Sequence, residues 1–92
     1  MNAKERAESL VIEFMAQLFF NDFKLVGGMI ISFDKEREEL IKLVEDDLDR
    51  LIFLYKAKTG FSLLISDREK KEYPIKIVQC IKKLISEKIL TP

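Results

Sequence analysis

The chain has 92 residues, 48% of them apolar and 35% charged, and its formal net charge is zero. This length and balance predict one folded domain over residues 1–92 and give no overall electrostatic attraction toward nucleic acid or anionic membranes. The absence of histidine excludes histidine-based catalysis within the chain, and the single cysteine, Cys80, excludes an internal disulfide.

The first predicted element is a helix over residues 2–20. Asn2 with Glu5 three residues later resembles a capping box, and apolar residues then recur at helical spacing. This apolar stripe widens at its C-terminal end, where Phe19 and Phe20 stand side by side. Acidic residues interrupt the run, so it does not predict a signal peptide, and no uncharged stretch approaches the length of a membrane span. We therefore expect a cytoplasmic protein with no membrane partner.

A β-hairpin is predicted next, after a break at Asn21-Asp22. Residues 23–26 and 29–33 are two short apolar runs joined by Gly27-Gly28, and a two-glycine loop suits the positive φ angles of a tight hairpin turn. The alternative is an irregular apolar loop between two helices.

A long helix over residues 34–58 follows. It begins with acids and ends with lysines, which suits the partial charges of a helix, and Asp34 or Ser32 is its predicted N-cap. Thr59-Gly60 is the predicted stop. Residues 51–55 are apolar on every side, which predicts burial on several sides. The stripe that predicts the core-facing side of this helix consists of Leu40, Val44, Leu48, Leu51 and Tyr55.

Residues 61–66 alternate in a way that predicts a short strand, with Phe61, Leu63 and Ile65 on one side. The charged residues 67–72 predict a solvated turn, and Pro74 is placed at the first position of the last helix. The predicted buried side of that helix carries Ile77, Val78, Ile81, Leu84, Ile85 and Ile89.

This order of elements predicts a mainly helical α+β domain, arranged helix, β-hairpin, long helix, strand, helix, with a small antiparallel sheet covered by helices. An all-α helical bundle is the alternative, in which both strand-like segments are loops or short helices.

The densest group of acids is Glu45, Asp46, Asp47 and Asp49. Carboxylates are ligands for hard metal ions. However, Asp46 is spaced to pair with Arg50, and Glu38 is spaced to pair with Lys42, at i and i+4. We interpret the group as a solvated, salt-bridged helix side, with a divalent-metal or acid–base site as the alternative. The sequence predicts no cofactor and no bound metal.

The last quarter of the chain is rich in lysine, which is the basis of a nucleic-acid hypothesis. Lys76, Lys82 and Lys83 of the last helix are the candidate phosphate contacts. That helix carries no arginine and no interleaved aromatic residue, so it lacks the usual groups for reading or stacking on bases. Nucleic acid is therefore the less favoured partner. Cys80 has no histidine to activate it and is predicted to be a half-buried, unreactive thiol.

The apolar residues exceed what one face of each helix needs. Phe19, Phe20, Phe53 and Leu54 form this surplus, and they are the predicted protein interface. The sequence favours a small, non-enzymatic protein-interaction or regulatory module that binds protein as a homodimer, with a heterologous protein as another possible partner. The alternatives are a small nucleic-acid-binding regulator and, least favoured, an enzyme that uses the acids.

Overall fold

The computed structural model describes residues 2–25 and 37–90, and these residues form three α-helices. Helix α1 spans Ala3–Leu25, α2 spans Arg37–Thr59 and α3 spans Asp67–Ser86. Each helix packs against the other two. The described residues contain no β-strand, so the predicted α+β fold with a small antiparallel sheet is wrong. The all-helical bundle, which was the alternative, is the fold that the structure supports.

Helix α1 continues through the predicted break at Asn21-Asp22, so that prediction is wrong. The first strand of the predicted hairpin is helical through Leu25, and the rest of that hairpin lies outside the described residues. The ring of Phe23 explains part of the continuation, because it stacks on Phe19 one turn earlier with 4.2 Å between ring centroids.

One half of the capping box predicted at the start of α1 is confirmed. The side-chain oxygen of Asn2 accepts a hydrogen bond from the backbone N–H of Glu5 at 2.8 Å. The side-chain amide of Asn2 donates to the Glu5 carboxylate at 3.4 Å. One of the free amides of the first turn is thereby satisfied by a side chain.

Helix α2 buries four of the five residues of its predicted stripe, namely Leu40, Val44, Leu48 and Leu51. Tyr55 is half-buried, and its ring meets Phe14 of α1 edge-on at 5.4 Å. The predicted N-caps Asp34 and Ser32 lie outside the described residues. The predicted stop is confirmed: Gly60 has φ +79°, and its N–H donates to the Lys56 carbonyl at 2.8 Å.

The segment 61–66 connects α2 to α3 without strand pairing, so the predicted strand is wrong. A strand needs a neighbour to satisfy its backbone, and no other strand is present in the described part of the chain. The alternation of the sequence nevertheless positions side chains. Leu63 and Ile65 pack against the core, whereas Leu64 is 95% exposed.

Helix α3 begins at Asp67, so the charged residues 67–72 form its first turns and the predicted solvated turn is wrong. Ser66 is the N-cap. Its hydroxyl accepts the Glu69 backbone N–H at 3.2 Å and donates to the Glu69 carboxylate at 2.9 Å. Glu69 also accepts the Ser66 backbone N–H at 3.2 Å, which completes a capping box. Pro74 therefore lies inside the helix rather than at its first position, and it is buried.

Helix α3 ends in a turn centred on Lys88, which has φ +60°. The N–H of Ile89 donates to the Leu84 carbonyl at 2.9 Å, and that of Lys88 donates to the Ile85 carbonyl at 3.0 Å. This is the hydrogen-bond pattern of a Schellman motif. The turn exposes Ile89, which was predicted to be buried, and buries Leu90 in its place.

The core lies between the three helices and contains no buried polar or charged side chain among the described residues. No helix in the described ranges is long and apolar enough to cross a membrane. The buried apolar residues are Ile12, Met15, Ala16, Phe19, Phe20, Leu40, Val44, Leu48, Leu51, Tyr73, Ile77, Val78, Ile81, Leu84 and Leu90.

Candidate protein-interaction surface

Helix α2 is amphipathic in its first half, but its second half places an aromatic ring on the side opposite the core. Val44, Leu48 and Leu51 face inward and are buried. Phe53 projects from the other side of the helix and is 69% exposed. The prediction that residues 51–55 are buried on several sides is therefore wrong for Phe53. Helices α1 and α3 cover the core-facing side of α2, and the ring of Phe53 is left in water.

Two further apolar residues in the same part of the chain are exposed. Phe61, directly after the glycine that ends α2, is 71% exposed, and Leu64 is 95% exposed. We call Phe53, Phe61 and Leu64 the outer patch. Leu10, Ile75 and Ile89 are also exposed, but they lie on α1, in α3 and after the end of α3, respectively. Single exposed apolar residues are ordinary on soluble proteins, whereas several in one region indicate a contact surface.

An open groove of about 570 Å³ lies beside the outer patch. Ile52 of α2 and Leu63 of the connection supply apolar groups to this groove, while Asp49 and Lys70 supply charges. The groove therefore combines an apolar floor with ionic groups of both signs, which suits a protein surface better than a small apolar ligand. Its lining residues are Asp49, Ile52, Leu63, Leu64, Ile65, Ser66, Glu69 and Lys70.

The structure separates the four residues that the sequence grouped as an interface. Phe19 and Phe20 have exposures of 0% and 1%, so the core of one chain already holds them. Leu54 is half-buried, and Phe53 alone of the four is largely exposed. An interface on this side of the molecule therefore has Phe53 available to it but neither Phe19 nor Phe20.

Phe61 and Leu64 were missed as candidate contact residues because they were assigned to a strand. The signal that could have found them is the sequence Ser66-Asp67-Arg68-Glu69, which has the spacing of a capping box. If these four residues begin a helix, only a short connection remains between Gly60 and that helix. Apolar side chains on so short a connection alternate between the core and water.

The acids of α2 are partly engaged in an ion-pair network that differs from the predicted one. Arg50 binds Asp47, with contacts of 2.6 Å, and Asp22 of α1 at 2.8 Å, rather than Asp46. The hydrogen bonds that Arg50 donates to the carboxylates of Asp47 and Asp22 raise the pKa of Arg50 above its usual range, although partial burial opposes them. The predicted pair of Glu38 with Lys42 is not among the ion pairs of the described residues. No group of three or more potential metal-ligating side chains occurs in those residues.

The lysines of α3 differ from one another in availability. Lys76 forms a salt bridge with Glu8 of α1, and this hydrogen bond raises the pKa of Lys76. Lys82 and Lys83 are exposed, and Lys83 lines a groove of about 330 Å³ between α1 and α3. Glu5, Glu8 and Glu13 line the same groove, so a phosphate there would meet acids as well as lysines.

Cys80 is half-buried beside this second groove. Burial raises the pKa of its thiol, and the nearby carboxylate of Glu13 acts in the same direction. The thiol is therefore protonated at neutral pH, and a protonated thiol is a weak nucleophile.

No family model, curated protein or solved structure matches this chain.

Proposed function

We propose that this chain is a small, non-enzymatic interaction module that acts by binding protein, as a homodimer, through the outer patch. The observation that carries the proposal is the exposure of Phe53 on the side of α2 opposite the core, 69% in the monomer. An aromatic ring in water gives up most of the free energy that its burial would contribute, roughly 1.5–3 kcal/mol for a side chain of this size. Aromatic residues are also enriched at the centres of protein interfaces.

The neighbourhood of Phe53 supports a protein partner. Leu64 and Phe61 add apolar surface in the same part of the chain. The adjoining groove supplies Asp49, Glu69 and Lys70 as polar groups that can form a rim. An apolar centre with a mixed-charge rim is the usual anatomy of a protein–protein contact.

Nucleic acid remains the alternative partner, and the arrangement of the lysines favours it less. Lys76 is held by Glu8, and glutamates surround the groove that Lys83 borders. Any retention on duplex DNA would depend on few phosphate contacts, so we expect it to vanish by physiological salt. Sequence-selective binding that persists at that salt and is lost on Lys82→Ala with Lys83→Ala would instead favour the nucleic-acid hypothesis.

Light scattering coupled to size exclusion tests the homodimer. We expect the mass to rise from monomer to dimer between about 10 µM and 1 mM, the range typical of a small contact. Phe53→Glu should keep the mass at that of the monomer throughout, because a carboxylate cannot be buried there without a partner. The helical circular dichroism should be unchanged, since Phe53 is not part of the core.

Leu10→Glu is the matched control, because Leu10 is 64% exposed but lies on α1 and is not part of the outer patch. It adds the same charge to a comparably exposed position, and we expect it to dimerise like the wild type. A wild-type monomer at every concentration would reject the homodimer. Unfolding of Phe53→Glu would show that Phe53 belongs to the core.

A further inference from the structure

Phe53 lies between two exposed residues of opposite charge on one side of α2. Asp49 is one turn before it and Lys56 is one turn after it, at spacings that share a helix side. Neither Asp49 nor Lys56 makes an ion pair within the described residues. The nearby Arg50 does, and its partners are Asp47 and Asp22. The surface of α2 around Phe53 is therefore an apolar centre with one free acid and one free base at its ends.

The series Asp49, Phe53 and Lys56 along α2 is complementary to the same series on a second copy that runs in the opposite direction. If two copies pack their α2 helices antiparallel about a two-fold axis between Ile52 and Phe53, Asp49 of each copy lies opposite Lys56 of the other. The axis generates two such contacts from a single pair of residues. Phe53 of each copy then lies opposite Ile52 of the other at the centre.

We propose that the second copy binds along α2 in this antiparallel arrangement, with Phe53 at the two-fold axis and Asp49–Lys56 ion pairs on both sides of it. The proposal deepens the proposed function and depends on it, because it names the orientation and the contacts of the homodimer.

The charges favour this orientation over the parallel one. A parallel pair about a two-fold axis sets Asp49 against Asp49 and Lys56 against Lys56, so both contacts are repulsive. The helix dipoles act in the same direction, since an antiparallel pair places the positive end of each helix beside the negative end of the other.

Charge reversal tests the orientation. We expect Asp49→Lys alone and Lys56→Asp alone each to weaken dimerisation about tenfold, because each change sets like charges opposite each other twice. The double variant should recover wild-type affinity. An equimolar mixture of the two single variants should also recover it, because every contact in the mixed dimer then joins opposite charges.

Two controls separate these contacts from general effects of charge. Asp46→Lys makes the same change as Asp49→Lys one turn earlier, opposite the uncharged Thr59 in the proposed register, and should leave the affinity within about twofold of the wild type. Lys58→Asp places an acid in the last turn of α2, as Lys56→Asp does, and so reproduces any effect on the helix end. It too should dimerise normally.

The outcomes separate the inference from the function on which it depends. Weakening by both single reversals, with recovery in the double variant and in the mixture, supports the antiparallel contact. Single reversals that behave like their controls, while Phe53→Glu still dissociates the dimer, would overturn the orientation and leave the homodimer in place. A wild-type chain that stays monomeric would reject both.

Discussion

Phe20 and Phe53 look equivalent in the sequence, but the fold treats them in opposite ways. Each belongs to an apolar pair on a long helix, Phe19-Phe20 on α1 and Phe53-Leu54 on α2. In the structure Phe20 is 1% exposed and Phe53 is 69% exposed. Both helices have 23 residues, so helix length does not explain the difference.

The difference arises from how many sides of each helix are covered by other parts of the chain, near Phe20 in α1 and near Phe53 in α2. Both Phe19 and Phe20 of α1 lie among the residues of the common core, so this level of α1 is covered on more than one side. Helix α2 already directs Leu48 and Leu51 into that core, and Phe53 is on its far side. A sequence shows that a helix is apolar all round, but only the arrangement of the other helices decides which side is covered.

Truncating Phe53 and Phe19, which is buried beside Phe20, should separate the two environments most clearly. We expect Phe19→Ala to lower the free energy of unfolding by about 3–5 kcal/mol, because it leaves a cavity in a site with no solvent access. Phe53→Ala should change it by less than about 0.5 kcal/mol. Urea unfolding followed by helical circular dichroism at low micromolar concentration measures both without a contribution from the dimer.

Phe19→Leu keeps this comparison measurable if Phe19→Ala has no cooperative transition. It retains most of the apolar volume and should cost about 1 kcal/mol. Equal losses for the changes at Phe19 and Phe53 would mean that the outer side of α2 is as buried as the core, and the outer patch would then not be a surface.

The sequence predicted the core-facing sides of the helices better than it predicted the connections between them. The stripe from Leu40 to Leu51 follows from helical spacing alone, and it is buried as predicted. The stop at Gly60 follows from a local backbone requirement, and its positive φ confirms it. Both features depend on neighbours within a few residues along the chain.

The errors lie where two local signals competed. Residues 61–66 alternate like a strand, but a strand forms only if another strand is in place to pair with it. Asp67 to Glu72 are all charged, like a turn, yet the capping box that begins at Ser66 makes them helical. The surplus of Phe19, Phe20, Phe53 and Leu54 was visible in the sequence. The sequence did not show which of these four residues are buried and which are exposed, because that depends on how the helices pack.

The capping box fixes where the connection that carries Leu64 ends, so it controls how the outer patch is displayed. We expect Ser66→Ala to lower the free energy of unfolding by about 1 kcal/mol at neutral pH, because the Glu69 N–H loses its acceptor. Ser62→Ala, at an exposed serine of the same connection, is the control and should cost much less. Chemical unfolding of both variants measures the difference.

The effect of Ser66→Ala should also depend on pH. Hydrogen bonds from the Ser66 N–H and hydroxyl lower the pKa of the Glu69 carboxyl. A carboxyl with a lowered pKa in the folded state contributes stability above its unfolded pKa of about 4.3, and this contribution is lost as pH falls through the folded value. Ser66→Ala keeps the backbone N–H and removes only the share of this contribution that the hydroxyl supplies, so the gap in stability between wild type and Ser66→Ala should narrow in acid. A gap that widens below pH 4 would contradict this role of Glu69.

The smallest expected effect concerns Asp22, which links α1 near Phe20 to α2 near Phe53. Asp22 lies two residues after Phe20, where a break was predicted. Its carboxylate is 2.8 Å from the guanidinium of Arg50, which lies three residues before Phe53. We expect Asp22→Asn to lower the free energy of unfolding by about 0.5 kcal/mol, because both side chains are partly exposed and Arg50 keeps its contact with Asp47. High salt should reduce the loss by screening the pair.

Asp46→Asn is the control, because it removes an exposed acid that has no ion pair among the described residues, and it should cost less stability than Asp22→Asn. Equal, salt-independent effects of the two changes would show that the buried phenylalanines hold the end of α1 in place without help from Arg50.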